Sequence, residues 1–146
     1  MSAAVCAGVR LPSLAEIAAS KALAALDLAV LDAAITRLDG AAKAFDAAIS
    51  AKDGSLTPAQ TAALNTKLRD IEQTLLSPSG LPFRPWFRNI LYAPGRFTGY
   101  GSKTLPGLRE AVEERRFDDA IREAGIAAKA LGDYADRLNE AAGLLK

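Results

Sequence analysis

The sequence predicts an all-α fold: a four-helix bundle with a long ordered loop, rich in aromatic residues, proline and glycine, between its second and third helices. Three observations carry this prediction. Apolar residues recur at alternating three- and four-residue spacing through most of the chain, which keeps them on one side of a helix. Helix-start signatures stand ahead of those runs. The period disappears only between Leu81 and Lys103, where proline, glycine and aromatic side chains concentrate. With 146 residues, half of them apolar, the chain can bury the core of one domain. Residues 1–12 read as an N-terminal tail and 13–146 as a single helical unit.

The first helix is expected to start at Ser13-Leu-Ala-Glu16, a capping box in which the serine hydroxyl accepts a backbone N–H and the glutamate reaches back. Leu28, Leu31, Ile35, Leu38, Ala42, Phe45 and Ile49 form its apolar stripe, and Asp53-Gly54 ends it. Gly40 lies inside the pattern and marks a bend or break, since glycine costs about 1 kcal/mol relative to alanine there. The second helix opens at Thr57-Pro58-Ala59-Gln60, with proline at a position whose N–H is dispensable. Leu64, Leu68, Ile71 and Leu75 are its buried face, and Ser77-Pro78-Ser79-Gly80 stops it. A short helix is expected from about Leu105 to Glu114. The last runs from Phe117 to the C-terminus on a seam of Phe117, Ile121, Ala124, Ala128, Leu131, Ala135, Leu138, Ala142 and Leu145.

Composition excludes several function classes. Lys plus Arg number 18 against 17 for Asp plus Glu, so no global field attracts nucleic acid or an anionic membrane. Histidine is absent and Cys6 is the single cysteine, which removes the usual transition-metal ligands and the usual base for a nucleophile. No calcium-loop pattern is present. No cofactor and no catalysis are therefore expected, and Cys6 reads as incidental. The opening residues lack a signal-peptide pattern, and Lys21, Asp27 and Asp32 interrupt the alanine-leucine stretch before it reaches spanning length. A soluble chain without a membrane span is expected.

Between Leu75 and Val112 the chain carries Gly80-Leu81-Pro82, Arg84-Pro85-Trp86-Phe87-Arg88, Ile90-Leu91-Tyr92-Ala93-Pro94, Tyr100 and Pro106-Gly107. With this motif the segment resembles part of the C-terminal helical domain of the glutamate carboxypeptidase II and transferrin receptor family. The resemblance implies an accessory domain that supplies homodimer contacts to a zinc peptidase whose metal ligands lie in a separate peptidase domain. It implies no enzyme activity of its own, a homodimeric state, and a peptidase domain as a further partner. It also implies that the loop completes a substrate pocket, where a Lys-Tyr pair binds a terminal carboxylate. Of that pair only the tyrosine is found, as Tyr100; Gly99 stands at the lysine's position. Around it, Arg84 and Arg88 are expected to brace the loop on backbone carbonyls, Trp86 to anchor it as a buried ring, and Tyr92 to support it.

Other readings of the same residues are weaker. Gly99-Tyr-Gly101-Ser-Lys103-Thr104 imitates a phosphate loop, but Ser102 separates the glycine from the lysine. Arginines interleave with aromatics in a pattern that can stack single-stranded nucleic acid, yet no wider basic surface accompanies them, and no nucleic-acid partner is expected. Glu110, Glu113, Glu114, Asp118 and Asp119 read as a solvated acidic face suited to a helix start. A free-standing module binding a small carboxylate through Tyr100, with Arg96 and Lys103 supplying the cation, remains the alternative to a dimerisation domain.

Overall fold

The computed structural model describes residues 13–52 and 54–145. The tail expected over residues 1–12, with Cys6, lies outside the described residues. The order is α1 (Leu14–Ala24), α2 (Ala29–Ser50), α3 (Pro58–Ile71) with a 3-10 turn at Glu72–Leu75, β1 (Tyr92–Pro94), β2 (Ser102–Thr104), α4 (Pro106–Glu113) and α5 (Phe117–Gly143). The fold is mostly helical, with one small antiparallel hairpin that the sequence did not predict.

Both capping boxes form. Ser13 Oγ accepts from the Glu16 N–H at 3.2 Å and Thr57 Oγ1 from the Gln60 N–H at 3.2 Å. The expected first helix is nevertheless two. The break falls at residues 25–28, not at Gly40, which stays inside an unbroken α2. Asp27 lies at the break, where its Oδ1 accepts from the Ala29 N–H at 2.9 Å in an Asx turn just ahead of the N-cap residue Leu28. The break also turns Leu26 and Leu28 against the core. Gly40 is tolerated because its neighbours Leu38 and Ala41, within the same turn, pack in the core beside Ala135 and Leu138.

The core is a seam along α5. Leu31 and Ala34 of α2 pack with Ala120, Ala124, Ala127, Ala128 and Leu131. Further along, Ala41 meets Ala135 and Leu138, and Phe45, Ala48 and Ile49 meet Ala141 and Leu145. The two helices therefore run parallel. α3 runs against them, with Ile71 beside Ala135 and Leu64 beside Ala141, and Lys67 Nζ meets Glu140 at 2.8 Å. Alanine at most of these positions lets helix axes approach closely. Two stripe residues depart from expectation: Ile35 and Ile121 are half exposed, on the flanks of α2 and α5.

Candidate functional site

The chain between α3 and α4 is ordered by its own backbone. Ser77 N–H donates to the Arg88 carbonyl at 2.8 Å, Ile90 N–H to Leu75 at 3.0 Å, and Leu81 N–H to Phe87 at 2.8 Å. Gly80 is required at this turn. Its φ is +70°, and a Cβ there would run into the Pro85 carbonyl. Asn89 Oδ1 then accepts from the N–H groups of both Leu91 and Tyr92, at 2.9 and 3.0 Å, and turns the chain into β1. β1 pairs with β2 through Tyr92↔Thr104, Ala93↔Lys103 and Pro94↔Ser102. The tip closes through Gly95 N–H to the Gly101 carbonyl at 2.9 Å and Gly101 N–H to Thr98 at 3.0 Å.

One buried ion pair ties this hairpin to the helices. Arg84 and Glu110 are both almost inaccessible and meet at 2.8 Å. Arg84 also donates to the Pro94 carbonyl, and the other Glu110 oxygen accepts from the Arg96 N–H at 2.7 Å. A buried carboxylate is stable only when paired and hydrogen-bonded in this way. Glu110 is thus a structural hub, and its place in a solvated acidic face is a correction. It sits three residues after Gly107 and beside Ala111 on the buried side of α4, so its helical position was a usable signal.

A stack of rings and guanidinium groups continues outward. Arg96 lies 4.0 Å from the Phe83 ring centroid and 4.9 Å from that of Phe97, with Arg116 5.0 Å from Phe83. Phe83 holds φ +62°, a strained setting for a residue with a side chain. Arg96 reaches Glu114 at 3.4 Å. Lys103 pairs with Glu113, which Arg109 Nε also reaches at 3.1 Å. These bonds from Lys103 and then Arg109 hold the Glu113 carboxyl below its ordinary range. On α5, burial pushes the Glu123 carboxyl up.

The residues expected to form the site separate into two groups. Arg84 and Arg88 act on backbone carbonyls, Arg88 Nε donating to Ser77 at 3.1 Å. Tyr92 and Trp86 are exposed. Trp86 is 71% exposed, with the neighbouring Phe87 ring at a centroid distance of 6.2 Å, so the expectation of a buried anchor is corrected. Tyr100 is fully exposed at the hairpin tip. The two cations expected to assist it, Arg96 and Lys103, are both engaged by glutamates of or beside α4.

Residues 26–139, which contain this hairpin, match the transferrin receptor-like dimerisation domain. The chain belongs to that family. A probable glutamate carboxypeptidase of Arabidopsis thaliana is 32% identical over 91 residues, 62% of this chain and 13% of that protein. One of Arthroderma benhamiae is 38% identical over 68 residues, 47% and 9%. Vacuolar protein sorting-associated protein 70 of Saccharomyces cerevisiae is 33% identical over 58 residues, 40% and 7%. The dimerisation domain therefore aligns with at most about an eighth of each of these relatives. The match begins at Leu26, so it takes in α2 through most of α5 and leaves α1 outside. Among the described residues no helix is long and apolar enough to cross a membrane.

Proposed function

We propose that residues 13–146 act as one unit, a non-catalytic homodimerisation domain of a glutamate carboxypeptidase-type protein, with α2, α3, α4 and α5 as its four-helix bundle. The observation that carries this reading is the family match across residues 26–139, which covers both the helical seam and the hairpin. A peptidase domain, in the same polypeptide or a separate one, is the further partner. The hairpin offers Tyr100 to that domain's substrate pocket. Arg84, Arg88 and the Tyr92 backbone hold the hairpin's base, and Trp86 belongs to the contacting surface. The pairing of Arg96 and Lys103 with glutamates argues against a self-sufficient carboxylate site, because a neutral hydroxyl alone makes a weaker bond to a carboxylate than a charge-assisted donor.

Sedimentation equilibrium of the purified chain tests the proposal directly. The expected result is a monomer–dimer equilibrium at micromolar concentration. A single monomeric species up to hundreds of micromolar would overturn self-association as the function of this chain.

A further inference from the structure

α4 begins at a strained joint with a carboxyl lying on it. Leu105, the residue before α4, holds φ +46°, a left-handed setting that is unfavourable for a residue with a side chain. Its N–H donates to the Leu91 carbonyl at 2.8 Å, one residue ahead of β1. Two residues further on, a Cβ at Gly107 would run into Glu123 Oε2 of α5, so the carboxyl occupies the space that the glycine leaves. The contact is set among Leu81, Ile90, Leu105, Leu108 and Ile126, and among the described residues no titratable group of α4 or of the loop lines it. The charged groups that act on Glu123 are Arg122, Asp119 and Arg116, from the first turns of α5 and the residue before it. Both arginines are bound to Asp119. Glu123 itself has no hydrogen bond or ion pair among the described residues. The start of α4 bears on the hairpin from two sides: β2 ends at Thr104, directly before Leu105, and Glu110, one turn after Gly107, holds Arg84 and the Arg96 N–H.

We propose that Glu123 is a proton-operated latch: as a neutral carboxyl it rests on Gly107 and keeps the start of α4 and the hairpin in place, and ionisation draws it out toward water and loosens both. Burial among apolar side chains disfavours the charged form and holds this carboxyl above its ordinary range; Asp119 adds to that effect, and Arg122 and Arg116 oppose it. A value raised in the folded chain fixes the sign. The stabilisation is complete below the ordinary value of 4.5, where the group is protonated in both states, and is lost as pH rises through the raised value. Acid therefore tightens the seat of the hairpin and neutral pH loosens it. The latch stands whether or not the chain self-associates.

The test follows the Leu105 amide, whose hydrogen-exchange protection reports the joint between α4 and the loop. Protection factors, corrected for intrinsic exchange, are measured at pH 4 and pH 7 for wild type, Glu123→Gln, Gly107→Ala and the control Glu72→Gln on the exposed 3-10 turn. Glu123→Gln keeps a neutral side chain on Gly107 at both pH values. Gly107→Ala puts a methyl where the carboxyl lay, and the carboxyl, at the end of a flexible side chain, swings into water at both. The expected result is a Leu105 protection that falls between pH 4 and pH 7 at least about twofold more in wild type and Glu72→Gln than in Glu123→Gln and Gly107→Ala. Parallel profiles in wild type and Glu123→Gln overturn the latch. A profile in Gly107→Ala as steep as that of wild type also overturns it, since contact with Gly107 is then not its origin. So does equal flattening by Glu72→Gln, which would make any lost negative charge sufficient. A change of the same size at the Ala135 amide in the middle of α5 would assign the effect to global unfolding and overturn a latch local to α4.

Discussion

Along α5 the core is built from alanines. Ala120, Ala124, Ala135 and Ala141 are completely inaccessible, and each contributes little apolar area, so cohesion there is spread over many similar contacts. Between Leu81 and Thr104 the arrangement is the reverse. The large aromatic side chains Phe83, Trp86, Tyr92, Phe97 and Tyr100 face solvent, and the buried ion pair Arg84–Glu110 joins the turn, the hairpin and α4, with the more exposed pairs Arg96–Glu114 and Lys103–Glu113 beside it. The difference teaches where each region is vulnerable. The helical seam is harmed by added volume, and the loop by the loss of one polar partner.

The largest effect is expected at the ion pair. Glu110→Ala leaves the Arg84 guanidinium buried without its carboxylate, which costs about 3–5 kcal/mol. In a domain whose whole stability is of order 5–15 kcal/mol, that is a large fraction. Urea unfolding should show the midpoint falling with little change in slope. A loss under about 1 kcal/mol would mean that the loop does not depend on this pair, and the contrast between the regions would break.

That contrast also explains what could be read in advance. Helical period and capping chemistry are local, so the Ser13 and Thr57 starts, the Leu64–Ile71 face and the α5 seam were legible from spacing. The break at residues 25–28 was not, because it depends on the Asx turn that Asp27 makes with the Ala29 N–H and on Leu26 and Leu28 turning inward. The hairpin escaped notice because its strands are three residues each and carry no alternating pattern. The Arg84–Glu110 pair joins residues 26 apart in sequence, and charge alone does not reveal which member of an acidic cluster is buried. The aromatic loop was legible as a unit through its motif. Its orientation was not, because aromatic content suggested burial and the fold turned most of the rings outward.

A smaller effect sharpens the helical side of the comparison. Ala135 is fully inaccessible between Ala41 and Ile71, so Ala135→Leu must push α2 or α3 outward. Overpacking of this kind costs about 1–3 kcal/mol. Calorimetry should show a lower melting temperature with the helical circular dichroism retained. An unchanged melt would show slack in the seam and would assign its stability to the larger residues at the two ends.

The smallest effect is expected where the sequence alone pointed to the largest. Trp86 has the greatest apolar surface of any residue in the chain, and a buried tryptophan truncated to alanine costs about 3–5 kcal/mol. With 71% of the residue exposed and the Phe87 ring as its aromatic neighbour, Trp86→Ala should change the denaturant midpoint by no more than about 0.5 kcal/mol equivalent. Tryptophan emission in the wild type should lie near that of a solvated indole. A loss of several kcal/mol, or a blue-shifted emission, would show that the ring is covered in the isolated chain. The loop would then share the helical region's reliance on buried apolar surface. If the small value is found, that large exposed ring does little for the folded chain by itself. Tryptophan, tyrosine and arginine, the types enriched in binding hot spots, then stand together on a loop whose own stability comes from a polar pair beneath them.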